Sequence, residues 1–203
     1  MKTKLFTIAT MLVLVGGITS TTYATAHNYN NNNTATVVKE VSKISKIEIR
    51  GNVELFVSDG SADQVKVYNR YYGENALVQN ENGVLRIASY KAEKLVVWVT
   101  ANDLRAISAY DNAQVKSFGK LSALELEVNL HNNSTANLNV DAYTANVNLN
   151  DRAKIDLSGT ATIYSLNHSI TSSVNNNSFA AESFTDKLNG MPKVDIADEF
   201  AGL

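Results

Sequence analysis

Apolar and polar positions alternate with a period of two along most of the chain. Ile47, Ile49, Val53, Leu55 and Val57 alternate around a break at Gly51-Asn52. Val65 and Val67 follow the turn-forming stretch SDGSAD, and Leu85 and Ile87 follow NENG, where Gly83 suits a positive φ. Leu95, Val97 and Val99 form a further run, with Val96 and Trp98 on the opposite face. Period two sends one set of side chains to a core face and the other outward. Helical spacing is nearly absent, and the lone proline, Pro192, lies close to the C-terminus. The pattern predicts an all-β chain.

A second regularity lies on top of the first. Anchored on Ile107, Val128, Val147, Leu166 and Leu188, equivalent positions recur at spacings of 21, 19, 19 and 22 residues. Two positions on stand Ala109, Leu130, Leu149, His168 and Gly190. Six on stand Ala113, Ser134, Ala153, Ser172 and Val194, nearly all small; eight on stand Val115, Ala136, Ile155, Val174 and Ile196, all apolar. Asp111, Asn132 and Asp151 occupy plus four, followed by Ile170 and Pro192. One short coil cannot bury its inner face alone, whereas coils stacked about 4.8 Å apart share a core and saturate each other's backbone. Small residues at plus six suit a corner where inner space narrows. Asp or Asn just before it tolerates unusual dihedrals. The text therefore predicts a β-solenoid with coils of about 19–22 residues. An antiparallel sandwich is the rival, since it also uses short strands, but hairpins do not require equivalent positions to recur.

The N-terminus and composition add compartment. Lys2 and Lys4, the apolar stretch 5–18 and the small-x-small ending Ala24-Thr25-Ala26 read as a signal peptide over 1–26, with cleavage after Ala26. Residues 27–40, rich in Asn, read as a flexible lead-in, and 41–203 as one β-solenoid domain. The chain has no cysteine, which removes disulfides, thiolate metal sites and thiol nucleophiles. Without Lys2 and Lys4, 16 basic residues face 20 acidic ones, and no basic run argues for nucleic acid. No second hydrophobic segment approaches membrane length.

The succession ISKIEIRGNVELFVSDGSADQVKVYN, NGVLRI and VVWVTANDLRAISAYDNAQV, followed by coils, resembles the family described as putative auto-transporter adhesin, head GIN domain, over about residues 41–197. Family corners typically read I-x-x-x-G-S-G-x-V; here they read YDNAQV, HNNSTA and NDRAKI, keeping the small residues and replacing the glycines. The resemblance implies a single-chain right-handed β-helix-like solenoid outside the cytoplasm. It implies no catalytic residues.

Candidate chemistry is sparse. His27, His131 and His168 fall in the lead-in and on differently directed positions two repeats apart, which does not favour the three or four converging ligands of a metal site. A column of Asp111, Asn132 and Asp151 could suggest calcium, but that ion wants 6–8 oxygens and turn chemistry explains the same residues. No metal or cofactor is expected. No G-x-S-x-G elbow occurs. Asp141, Asp151 and Asp156 are carboxylates of the kind a polysaccharide-cleaving β-helix uses. The aromatic set Tyr68, Tyr71, Tyr72, Tyr90, Trp98 and Tyr110 is the candidate ligand surface, for stacking on sugars or anchoring a protein. The same residues would equally cap the open end of a coil stack or cover a sheet face. The corner residues Asp111, Ala113, Asn132, Ser134, Asp151, Ala153 and Ser172 are expected to be structural, and the Asn-rich outer faces to form amide ladders.

The leading expectation is an exported, non-enzymatic binding module or adhesin of the periplasm, cell surface or medium, with a glycan or cell-surface protein as partner. A structural or self-assembling element that pairs copies into a homo-oligomer stays open, as does a polysaccharide-active enzyme.

Overall fold

The structure is a computed structural model that describes residues 36–38, 41, 43–68 and 76–189. Residues 1–26, most of 27–40, Tyr71, Tyr72 and the positions from Gly190 onward lie outside the described residues. Twelve strands are described: β1 (Thr36–Val38), β2 (Lys46–Gly51), β3 (Val53–Asp59), β4 (Gln64–Tyr68), β5 (Ala76–Glu81), β6 (Val84–Ser89), β7 (Leu95–Ala101), β8 (Ala106–Ala109), β9 (Gln114–Leu130), β10 (Thr135–Leu149), β11 (Lys154–Ser169) and β12 (Ser173–Asn189). No helix occurs among them, hence none long and apolar enough to cross a membrane. The all-β reading holds. All twelve strands belong to one curled sheet.

The repeat spacing is a pairing register. Val128 lies beside Val147, and Val147 beside Leu166, in parallel pairs that run along β9, β10 and β11. Ile107 joins the same column through β8, next to Val128. Each rung closes its neighbour's backbone groups around the corner as well: His131 N–H donates to the Ala109 carbonyl at 2.9 Å and Asn150 N–H to that of Leu130 at 2.8 Å. The inward columns are buried. Leu130, Leu138 and Leu149 are fully buried, as are Ile47, Leu55 and Ile107 below them. Parallel pairing of Val128 with Val147 excludes the antiparallel sandwich.

The corners turn as their residue types require. Asp111, Asn132 and Asp151 adopt φ of 62°, 60° and 59°, the left-handed region that Asp and Asn tolerate best among residues with a side chain. Each also accepts a hydrogen bond from the rung before it. Asp151 Oδ2 accepts from Asn132 N–H at 3.0 Å, Asn132 Oδ1 from Asp111 N–H at 3.2 Å, and Asp111 Oδ2 from Gly51 N–H at 3.2 Å. The fourth corner carries β-branched Ile170, which does not enter the left-handed region. Behind the first three corners Ala113, Ser134 and Ala153 are fully buried, with the Ser134 hydroxyl accepting from His131 N–H at 3.0 Å. The expected amide ladder is present: Asn167 donates to Asn148 at 2.9 Å, and Asn148 to Asn129 at 2.8 Å. Replacing Ala153 by Leu should overpack its corner and lower the unfolding free energy by about 1–3 kcal/mol, read as a fall in the denaturation midpoint. An unshifted midpoint would mean that this methyl does not face the interior.

Two expectations about the coils need correction. Rungs do not stack in chain order throughout. The hairpin-like excursion after β3 brings β6 and β7 to the outer side of β2 and β3, and the chain then crosses to place β8 and β9 on the other side. The resulting column reads Leu85, Ile47, Ile107, Val128, Val147, Leu166. Antiparallel partners finish this end, β4 beside β7 with β1 beyond it, and β5 beside β6. A β-rich Thr-Val-Val thus draws residues 36–38 of the supposed lead-in into the sheet. At the far end Leu188 is not the fifth anchor. A register shift after Asp156 adds a residue to β12, so Asp186 stands beside Leu166 and Leu188 beside His168. His168 Nε2 and Asp186 Oδ1 approach to 3.2 Å there.

Candidate aromatic cleft

Strand β4 runs antiparallel along β7, and its alternate residues Gln64, Lys66 and Tyr68 project outward while Val65 and Val67 are buried. Across the pair, Lys66 stands directly opposite Trp98 and Gln64 opposite Thr100. These five residues line a shallow cleft of about 240 Å³. Trp98 is held from behind by residues on neighbouring rungs. Phe56, its partner in β3, stacks on it at 4.7 Å between ring centroids and 19° between planes. Phe118 tilts against it at 5.3 Å, and Tyr68 meets it edge-on at 6.4 Å. Tyr68 and Phe118 are 38% and 64% exposed, so the cluster forms part of the surface. Aromatic rings at these separations attract beyond the area they bury, which fixes the indole plane.

Charge around the cleft is lopsided. Lys116 lies 5.5 Å from the Phe56 ring centre and donates to Glu54 at 2.6 Å, and Lys94 stands 3.9 Å from the same carboxylate. Lys66 makes no ion pair among the described residues. The cleft thus combines a ring face, an unmatched ammonium, an amide and two hydroxyl-bearing side chains.

Of the described aromatic residues singled out in the sequence, Tyr68 and Trp98 meet here. Tyr90 and Tyr110 sit at the first corner instead. The Tyr90 hydroxyl donates to Asp111 at 3.4 Å, while Tyr110 lies between the Arg50 guanidinium at 3.8 Å and the His131 ring at 4.7 Å. Tyr71 and Tyr72 lie outside the described residues. Phe56 and Phe118 belong to the cluster although the sequence reading passed over them. The available signal was alternation: Phe56 falls on the outward face of a strand whose inward face is Leu55 and Val57.

The carboxylates and histidines have separate local partners. Lys120, then Thr160, hydrogen-bond to Asp141 and hold its carboxyl below the usual range, the opposite of the raised value a general acid needs. Asp151 is engaged by Asn132, and Asp156 accepts from Asn175 at 3.0 Å. His131 stacks on Tyr110 and His168 faces Asp186. Among the described residues no group of three or more His, Asp or Glu is arranged to hold a metal ion.

No curated protein matches this chain in sequence. Solved structures do match in fold. A protein described as a putative adhesin from Parabacteroides merdae superposes with a TM-score of 0.59 at 14% identity, covering 76% of this chain and 77% of that one. A putative adhesin from Bacteroides fragilis gives 0.61 at 15% identity, covering 76% and 75%. A protein described as a putative lipid binding protein from Parabacteroides distasonis gives 0.63 at 11% identity, covering 78% and 79%. At such identities the likeness is one of fold. A family model covers residues 43–199, and the chain belongs to that family, "Putative auto-transporter adhesin, head GIN domain".

Proposed function

We propose that this protein is an exported, non-enzymatic binding module of the cell surface or periplasm, and that it holds glycan in the Trp98 cleft. The in-register rungs are taken as a right-handed β-helix-like solenoid serving as a stiff platform. The observation that carries this reading is the Phe56–Trp98 stack, which sets an indole at a surface cleft in a fixed plane. The C–H face of a sugar is apolar and its rim is hydroxylated. A fixed ring bordered by Gln64, Lys66, Tyr68 and Thr100 matches both properties. A site on strands is also better positioned than one on loops. The family description and the adhesin descriptions of two fold neighbours agree with a binding role.

Screening the protein on a glycan array tests the reading, followed by Trp98→Ala. Loss of a central aromatic anchor is expected to weaken binding by about 2 kcal/mol or more, whereas Tyr90→Ala, at the separate corner, should leave it unchanged. If no glycan is retained, or if Trp98→Ala binds as the parent does, the cleft is not a sugar site.

A further inference from the structure

Resting on that reading, we infer that the cleft selects acidic sugars, with Lys66 pairing a carboxylate of the residue stacked on Trp98. Three observations converge. Lys66 lines the cleft opposite Trp98, so a group over the indole lies within the sweep of its side chain. Lys94 and Lys116 already share Glu54, whereas Lys66 has no counter-charge among the described residues. The remaining described lining residues, Gln64, Tyr68, Trp98 and Thr100, are uncharged, so among the described residues no carboxylate in the lining opposes an anionic ligand. A neutral sugar would use the ring and leave the ammonium to water. A uronate or a sialic acid uses both. A hydrogen bond between ionised partners is stronger than a neutral one, and proximity to the ring excludes some of the water that would weaken it.

Trp98 is the only tryptophan in the sequence, so indole fluorescence of the full protein reports on this cleft alone. Titrations should use two matched pairs of probes: tetragalacturonate against its methyl ester, and sialyllactose against lactose. The charged member of at least one pair is expected to bind about tenfold more tightly, with a preference that shrinks as salt is raised. Lys66→Met should abolish that preference while leaving residual binding, Lys66→Arg should keep it, and Lys116→Met should leave it intact. Equal affinity within both pairs, or a preference that survives Lys66→Met, would overturn the assignment and leave the glycan reading standing. If no probe of either pair perturbs Trp98 and the array also retains nothing, both fall together.

Discussion

Truncating Leu130 to alanine is expected to destabilise the protein by about 2–5 kcal/mol, the range for deleting a fully enclosed leucine side chain. Leu130 is 0% exposed and stands in an inward column between Ala109 and Leu149. The backbone cannot collapse into the space, because the rungs on both sides are held in register by parallel pairing along β8, β9 and β10. The column therefore loses both transfer free energy and dispersion contacts across a cavity that stays open. Leu124→Ala provides the contrast. Leu124 is 80% exposed on the same strand, and its truncation should change stability by no more than about 0.5 kcal/mol. Denaturant midpoints of the two variants test the inward and outward faces of β9 directly. Comparable shifts would mean that the face assignment is wrong.

Gly51→Ala should be strongly destabilising. Gly51 has φ of +80°, and a methyl there would stand 2.1 Å from the carbonyl oxygen of Ser89 and 3.1 Å from the Tyr90 ring. That same carbonyl accepts from Asn52 N–H at 2.6 Å, so it cannot swing away without breaking the join between adjacent rungs. Backbone strain alone is worth about 1–3 kcal/mol, and displacement of the Ser89 carbonyl adds to it. Gly119 separates the two contributions. Its φ is +82°, but a methyl there meets nothing within 4 Å. Gly119→Ala should therefore show the strain without the collision and melt at a higher temperature than Gly51→Ala. The reverse order would contradict the packing of β2 against β6 at this corner.

The rung of residues 46–59 shows how far pattern reading reaches. Ile47, Ile49, Gly51, Val53 and Leu55 stand at the same offsets as Ile107, Ala109, Asp111, Ala113 and Val115, with Gly51 at the left-handed position. The repeat therefore begins one coil earlier than the first anchor chosen, and the signal was present. Its partner choice was not. Alternation states which face of a strand is inward but not which strand lies beside it, so nothing local places β2 between β6 and β8. The cleft has the same character. Phe56 and Trp98 are far apart in the chain, and they stack only because β3 and β7 are paired in register.

At the far end, Leu188 matched the apolar pattern and still missed its column. The pairing offset between β11 and β12 grows only to 20 residues after the register shift, which places Asp186 rather than Leu188 beside Leu166. The amino-acid text by itself thus determined the all-β class, the family, the stacking of Ile107, Val128, Val147 and Leu166, and the left-handed corners at Asp111, Asn132 and Asp151. Those properties rest on side-chain period and local dihedral preference, which each residue carries with it. The order of the first rungs, the antiparallel cap and the grouping of Phe56, Tyr68, Trp98 and Phe118 were decided only in three dimensions. They depend on which strands share backbone hydrogen bonds, a property of pairs rather than of single segments.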